Sequence, residues 1–153
     1  MERMKIMLVD DEERFLTTTQ KLLTRKGIDV VTAAGGAEAL DVLNHQNIHV
    51  VILDVKMPGM NGNETLKEIK ARFPLVEVIM LTGHATVESA IDGLKSGATD
   101  YLMKPTGIDE LIEKAEEAFE KRQRLEEKIR LARTRTFMKS PREILKEAEN
   151  PDV

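Results

Sequence analysis

The sequence predicts an α/β fold in which a parallel sheet is covered by helices on both faces. Three observations lead there. Five short apolar runs, at 6–9, 28–32, 50–53, 76–81 and 101–103, are aliphatic or β-branched with little alternation, as strands buried on both faces are. Segments with apolar residues at helical spacing lie between them. The order that results, strand then helix five times over, is that of a sheet wound by crossover helices.

The elements follow in turn. Residues 6–9 form the first strand, directly after the charged N-terminal residues. A helix pattern at 14–26 carries Phe15, Leu22 and Leu23 and stops at Lys26-Gly27. After the second run, Gly35-Gly36 turns the chain into a helix at 37–43 with Ala39, Leu40 and Leu43. That glycine pair lacks the Lys-Ser/Thr ending of a phosphate loop. The third run is followed by the turn signals Pro58-Gly59 and Asn61-Gly62, then by a helix at 64–73 with Leu66, Ile69 and Phe73. The fourth leads to a helix at 86–96 carrying Val87, Ala90, Ile91 and Leu94, closed by Ser96-Gly97.

Beyond Pro105 a long charged helix pattern covers 108–132. Its apolar positions fall on two seven-residue rows, Ile108, Ala115, Arg122, Ile129 and Leu111, Ala118, Leu125, Ala132. This is a heptad seam with one charged intruder, Arg122. Its first turns are expected on the sheet. From about Phe119 the seam is expected to project and to pair in parallel with a second copy, weakened by Arg122. Residues 134–139 read as an irregular basic stretch. Ser140-Pro141-Arg142-Glu143 reads as the cap, first-turn proline and capping-box Glu of a last helix at 141–149. The expected organisation is one domain over 1–120 and a helical extension over 121–153.

Composition narrows the function. A chain of 153 residues, 41% hydrophobic and 33% charged, has room for one domain with a full core. A net charge of −4 argues against direct nucleic-acid binding, which needs a basic face. With no cysteine, disulfides, thiolate chemistry and Cys-based zinc sites are excluded, which fits a reducing cytoplasm. No signal-peptide pattern opens the chain, and no apolar run approaches the roughly 18 residues of a membrane span. The eight methionines read as core filler, and His45 and His49 show no ligand spacing.

In open parallel sheets ligands bind beyond the carboxyl ends of the strands, where strand order reverses. There stand Asp10 and Asp11 after the first strand, Asp54 after the third, Thr82 after the fourth, and Lys104-Pro105 after the fifth. If strands one and three are neighbours, the three carboxylates converge. Like charges so placed repel, and a divalent cation resolves the conflict. All-oxygen donors favour Mg²⁺, with Mn²⁺ as a substitute. Adding an ammonium and a hydroxyl gives the parts of phosphoryl transfer, which depends on positioning and charge neutralisation. A carboxylate nucleophile can carry the phosphoryl group.

Val9-Asp10-Asp11-Glu12, Leu53-Asp54-Val55-Lys56-Met57-Pro58-Gly59-Met60-Asn61-Gly62, Leu81-Thr82-Gly83-His84 and Lys104-Pro105 together resemble the response-regulator receiver domains of two-component signalling, over about residues 4–120. The resemblance implies a flavodoxin-like, doubly wound sheet of order 2-1-3-4-5. It implies Asp54 as phosphoacceptor and Asp10 and Asp11 as the Mg²⁺-binding acids, with the Lys56 backbone carbonyl as a further ligand. Thr82 is then the hydroxyl that moves to the phosphoryl group, Lys104 the lysine that pairs with it before a cis proline, and Tyr101 the switch aromatic. Gly83 keeps the entry beside Thr82 open, and Lys56 and His84 lie where the family tunes dephosphorylation. The implied donor is a histidine kinase or phosphotransfer protein, and the implied output is protein–protein contact.

Asn61 replaces a frequent Asp, and Thr106 stands where an aromatic is common, which bears on packing and not on chemistry. The long last helix also resembles receivers that precede an ATPase-type transcription activator, so a receiver fragment of such a protein is the alternative to a stand-alone regulator. An aspartate-based phosphatase is disfavoured, because it needs a second Asp where Lys56 stands. Such a chain catalyses only its own phosphorylation and dephosphorylation.

Overall fold

The computed structural model describes residues 2–83, 86–138 and 142. The elements are β1 (Lys5–Val9), α1 (Glu13–Arg25), β2 (Asp29–Ala33), α2 (Gly36–His45), β3 (Val50–Leu53), α3 (Gly62–Arg72), β4 (Glu77–Thr82), α4 (Val87–Lys95), β5 (Asp100–Met103) and α5 (Ile108–Met138). The sheet runs β2-β1-β3-β4-β5, and every neighbouring pair is parallel. The flavodoxin-like order expected from the sequence is the one observed.

Each strand feeds two cores because its side chains alternate between faces. Met7, Val9, Val51, Leu53, Val78 and Met80 meet Leu40, Leu43, Leu66 and Ile69 of α2 and α3. Ile6, Leu8, Val50, Ile52, Ile79 and Leu81 meet Leu16 and Leu23 of α1 and Leu111, Ala115 and Ala118 of α5. Both parities are therefore apolar, and the runs read as continuous. Burying each such aliphatic side chain contributes about 1.5–3 kcal/mol.

Helix faces differ in detail from the sequence reading. On α1 the buried positions are Leu16, Thr19 and Leu23, and Leu22 faces solvent. Asn61 is the N-cap of α3, its side chain accepting from the Glu64 amide, so Asn61-Gly62 opens a helix where a turn was expected. A Cβ on Gly62 would collide with the Asp54 carbonyl oxygen and lie 2.6 Å from Val55 Cα. Glycine is needed there for close approach, since its φ is not positive.

The edge of the sheet where the strands begin is tied by polar side chains. The Lys5 amide donates to His49 Nδ1 (2.9 Å), which leaves His49 Nε2–H to donate to Glu2 Oε1 (2.7 Å). The Phe119 ring meets this imidazole edge-on, 5.0 Å between centroids. Glu77, 3% exposed, accepts from the Thr99 hydroxyl and lies 3.6 Å from Lys121 Nζ. Lys70 Nζ donates to the carbonyls of Pro74 (3.0 Å) and Val76 (2.9 Å), and burial is the main cause holding its pKa below the usual lysine value.

The chain forms two units, Met1–Arg122 and Gln123–Val153. Within the first, the heptad seam is spent on the sheet: Leu111, Ala115 and Ala118 are buried in its core. Arg122 is buried as well, donating to the Ile48 carbonyl (2.6 Å) and to Asn47 Oδ1 (3.3 Å). It is thus a receiver residue, where the sequence placed it facing a second copy. Within the second unit, Leu125 and Ala132 are exposed and Ile129 is half-buried. The irregular stretch expected from Thr134 is helical to Met138. Arginine and methionine are adequate helix formers, and Thr134 bonds back to the Arg130 carbonyl at 2.9 Å. The expected helix at 141–149 lies outside the described residues save Arg142.

Candidate functional site

The register of the parallel strands brings the ends of β1, β3, β4 and β5 to one edge. The amide of Asp10 donates to the Ala33 carbonyl (3.2 Å), and that of Asp54 to the Val9 carbonyl (2.9 Å). These backbone bonds carry the ladder one residue past each strand and fix both carboxylates. One oxygen each of Asp10, Asp11 and Asp54 lies within 4.8 Å of the others. Asp10 and Asp54 are buried at 1% and 5% exposure, whereas Asp11 is exposed.

Each buried acid is held in a different way. Asp10 Oδ1 accepts from the Glu12 amide (2.9 Å), and its other oxygen accepts from Lys104 Nζ at 2.5 Å. The Lys104 ammonium also stands 4.1 Å from the centre of the Phe15 ring, a cation–π contact that holds it over the pocket floor. Asp54 Oδ1 accepts from the Val55 amide (2.9 Å), and the Thr82 hydroxyl lies near enough to the same carboxylate to favour its charged form. Burial raises the Asp54 pKa above the ordinary carboxylate range; the nearby Asp10 charge adds to the rise, and Lys104 and Thr82 offset part of it.

Of the positions read from the sequence, Asp10, Asp11, Asp54, Thr82 and Lys104 come together. Lys56 is exposed and lines, with Asp11, a cavity of about 410 Å³ beside the carboxylates. Tyr101 stands apart from the acids. Its ring packs against α4, where a Cβ on Gly93 would lie 3.3 Å from it, and its hydroxyl meets Ser89 Oγ at 3.0 Å. Ser89 and Thr86 form the capping box of α4. Gly83 is exposed, and a Cβ there would stand in open space. The Lys104-Pro105 bond is cis, as expected. Thr106 donates to the Met103 carbonyl (2.6 Å) and settles the chain before α5 without an aromatic. His84 lies outside the described residues.

Sequence reasoning missed three contributors. Phe15 was only an apolar helix residue until its ring was found under Lys104. Ser89 carried no signal beyond a capping pattern. Asn63 lines the cavity with Asp11 and Lys56, and its side-chain oxygen is buried without a hydrogen-bond partner among the described residues.

Two buried acids and one exposed acid thus share the carboxyl ends of a doubly wound sheet, with Thr82 beside one and the Lys104 ammonium on another. The family described as "Response regulator receiver domain" matches residues 6–116. The chain belongs to that family. As a receiver domain it is a signalling switch and not an enzyme in the ordinary sense. Among curated relatives, the transcriptional regulatory protein ZraR of Escherichia coli K12 is 40% identical over 117 residues, 76% of this chain and 26% of that protein. The DNA-binding transcriptional regulator NtrC of Klebsiella pneumoniae is 38% identical over 112 residues, 73% of this chain and 24% of that one. The receiver thus spans about a quarter of these relatives. Among solved structures, a receiver domain from Clostridium thermocellum superposes with a TM-score of 0.76 at 37% identity, covering 80% of this chain and 98% of its own. NtrX of Brucella abortus gives 0.78 at 32%, covering 85% and 30%.

Proposed function

We propose that this receiver takes a phosphoryl group on Asp54 from the phosphohistidine of a histidine kinase or phosphotransfer protein, and passes the change on through protein contacts. The observation that carries the reading is the cluster itself: three carboxylates within 4.8 Å, one with Thr82 beside it and another bonded to Lys104.

The donor set fits a divalent cation. It is wholly oxygen, its acids crowd closely enough to repel one another, and Asp11 opens on the adjoining cavity. Asp10, Asp11 and Asp54 would hold Mg²⁺ with the Lys56 backbone carbonyl, and Mn²⁺ suits the same donors. Bound there, the ion neutralises the carboxylates and the phosphoryl oxygens.

The remaining steps belong to the chain. An Asp54 oxygen bonds to phosphorus as the bond from phosphorus to the donor nitrogen breaks, and the imidazole leaves with that electron pair. Lys104 supplies positive charge to the transferred oxygens. Thr82 already stands beside Asp54, so its hydroxyl needs only a short movement to reach the phosphoryl group. The added charge, about −1.5 to −2, draws Thr82 in, Tyr101 turns into the space it leaves, and α4 follows through Ser89. We place the protein in the cytoplasm, in keeping with its lack of cysteine; among the described residues no helix is long and apolar enough to cross a membrane. DNA binding is in the name of one relative; for this chain we propose proteins as partners, among them a second copy through the part of the α5 seam left exposed. That the receiver spans about a quarter of ZraR and NtrC favours the second reading, a receiver of a longer transcription activator.

The test is intact mass after incubation with acetyl phosphate. A Mg²⁺-dependent gain of one phosphoryl group, roughly 80 Da, is expected, and Asp54→Asn should abolish it. Equal labelling of the Asn variant would overturn the assignment.

A further inference from the structure

One contact beside the acids has no part in the steps above. The Lys104 ammonium lies over the face of the Phe15 ring, 4.1 Å from its centre. Phe15 stands in the first turn of α1, and helical side chains lean toward the N-terminus, which carries the ring back toward the end of β1 and Asp10. The ring is half-buried and packs on the core that α1 and α5 share. Packing alone asks only for apolar volume at this place, and leucine would supply it. A ring face turned to an ammonium is a further feature that packing does not require.

Two kinds of force hold the ammonium. Asp10 Oδ2 accepts from it at 2.5 Å, and Glu12 Oε1 stands 3.9 Å away. The Lys104 and Asp10 side chains are 17% and 2% exposed, so water screens their pair little. That bond is strong but tied to a short distance. To serve phosphoryl oxygens on Asp54, Lys104 Nζ must lengthen or release it. The attraction of the ring is broader and persists to about 6 Å from the ring centre. From 4.1 Å, the ammonium therefore has roughly 2 Å of travel within its reach. The ring face also attracts the charge as a whole, so the ammonium N–H donors stay available for oxygen acceptors.

We propose that Phe15 is a positioning residue for Lys104: its ring keeps hold of the ammonium while the lysine passes from Asp10 to the phosphoryl oxygens on Asp54. This deepens the phosphotransfer reading above and rests on it. Phe15 acts only through the lysine. The electron density on the face of residue 15, and not its volume, then sets how fast Asp54 is labelled.

Phenylalanine carrying one, two or three ring fluorines is placed at position 15 of the full chain. Fluorine withdraws charge from the ring face, on which the attraction depends, and leaves the shape of the ring nearly unchanged. Labelling of Asp54 by acetyl phosphate with Mg²⁺ is timed by intact mass, and thermal melts confirm that each variant is folded. The rate should fall with each fluorine, by about fivefold at the third. Phe15→Leu should fall as far, and Phe15→Tyr should keep the parent rate. In a Lys104→Gln background the fluorine series should be flat, because the group through which the ring acts is gone. Equal rates across the series with Lys104 in place would overturn the positioning role and leave phosphotransfer to Asp54 standing. A decline that survives Lys104→Gln would overturn it as well, since the ring would then act elsewhere. A parent chain that gains no phosphoryl group would overturn both readings.

Discussion

Asp54 is a carboxylate in the wrong medium. Its burial and the charge of Asp10 favour the proton more in the folded chain than in the unfolded one. For a group whose folded pKa is raised, the folded state binds more protons between the two pKa values, so stability falls as pH rises through that window. In chelator-treated protein, stability should therefore decline upward from the ordinary carboxylate range. Asp54→Asn, which cannot ionise, should lack that part of the decline. At neutral pH the variant should melt above the parent. Thermal melts across pH check this, and a variant that melts below the parent would refute it.

Between elements, two joints set how the site is held. The β3–α3 joint depends on Gly62, because a side chain there meets the backbone of Asp54 and Val55, which cannot swing aside as a flexible side chain could. Gly62→Ala should destabilise by about 1–3 kcal/mol, the usual cost of overpacking, and should slow labelling by acetyl phosphate through displacement of Asp54. Unchanged melting and unchanged labelling would show that the joint yields. The second joint is Arg122 of α5, whose guanidinium serves the Ile48 carbonyl and Asn47. As a seam residue facing another copy, its replacement by leucine would tighten self-association. In the position observed, Arg122→Leu should instead cost about 1–3 kcal/mol of receiver stability, since a buried acceptor loses its donor. Denaturant melts with parallel light scattering separate the two.

Across the whole molecule, the strands and the reactive edge were legible in the sequence because strands buried on both faces announce themselves as aliphatic runs, and because chemistry gathers where they end; the order of the strands came from the family resemblance. What stayed hidden depended on contacts between distant segments. Nothing local marks Arg122 as a core residue, since its acceptors lie in the loop before β3. Glu77 sits inside an apolar run and is tolerated only because Thr99 and Lys121 come to it across the fold. The apolar row of α4 has the period of a packed helix face, yet the structure leaves it in solvent. The clasps formed by His49, Glu77 and Arg122 all lie where the strands begin, opposite the acids. That asymmetry implies a molecule that breathes from one side. Amide exchange should be slowest around Lys5, Val50 and Val78 and fastest in the loops at the carboxyl ends, with intermediate rates as each strand is followed toward the site. A chain fastened in this way can reshape its reactive rim repeatedly while the opposite rim keeps its register, and the cost of signalling is confined to the half of the sheet that does it.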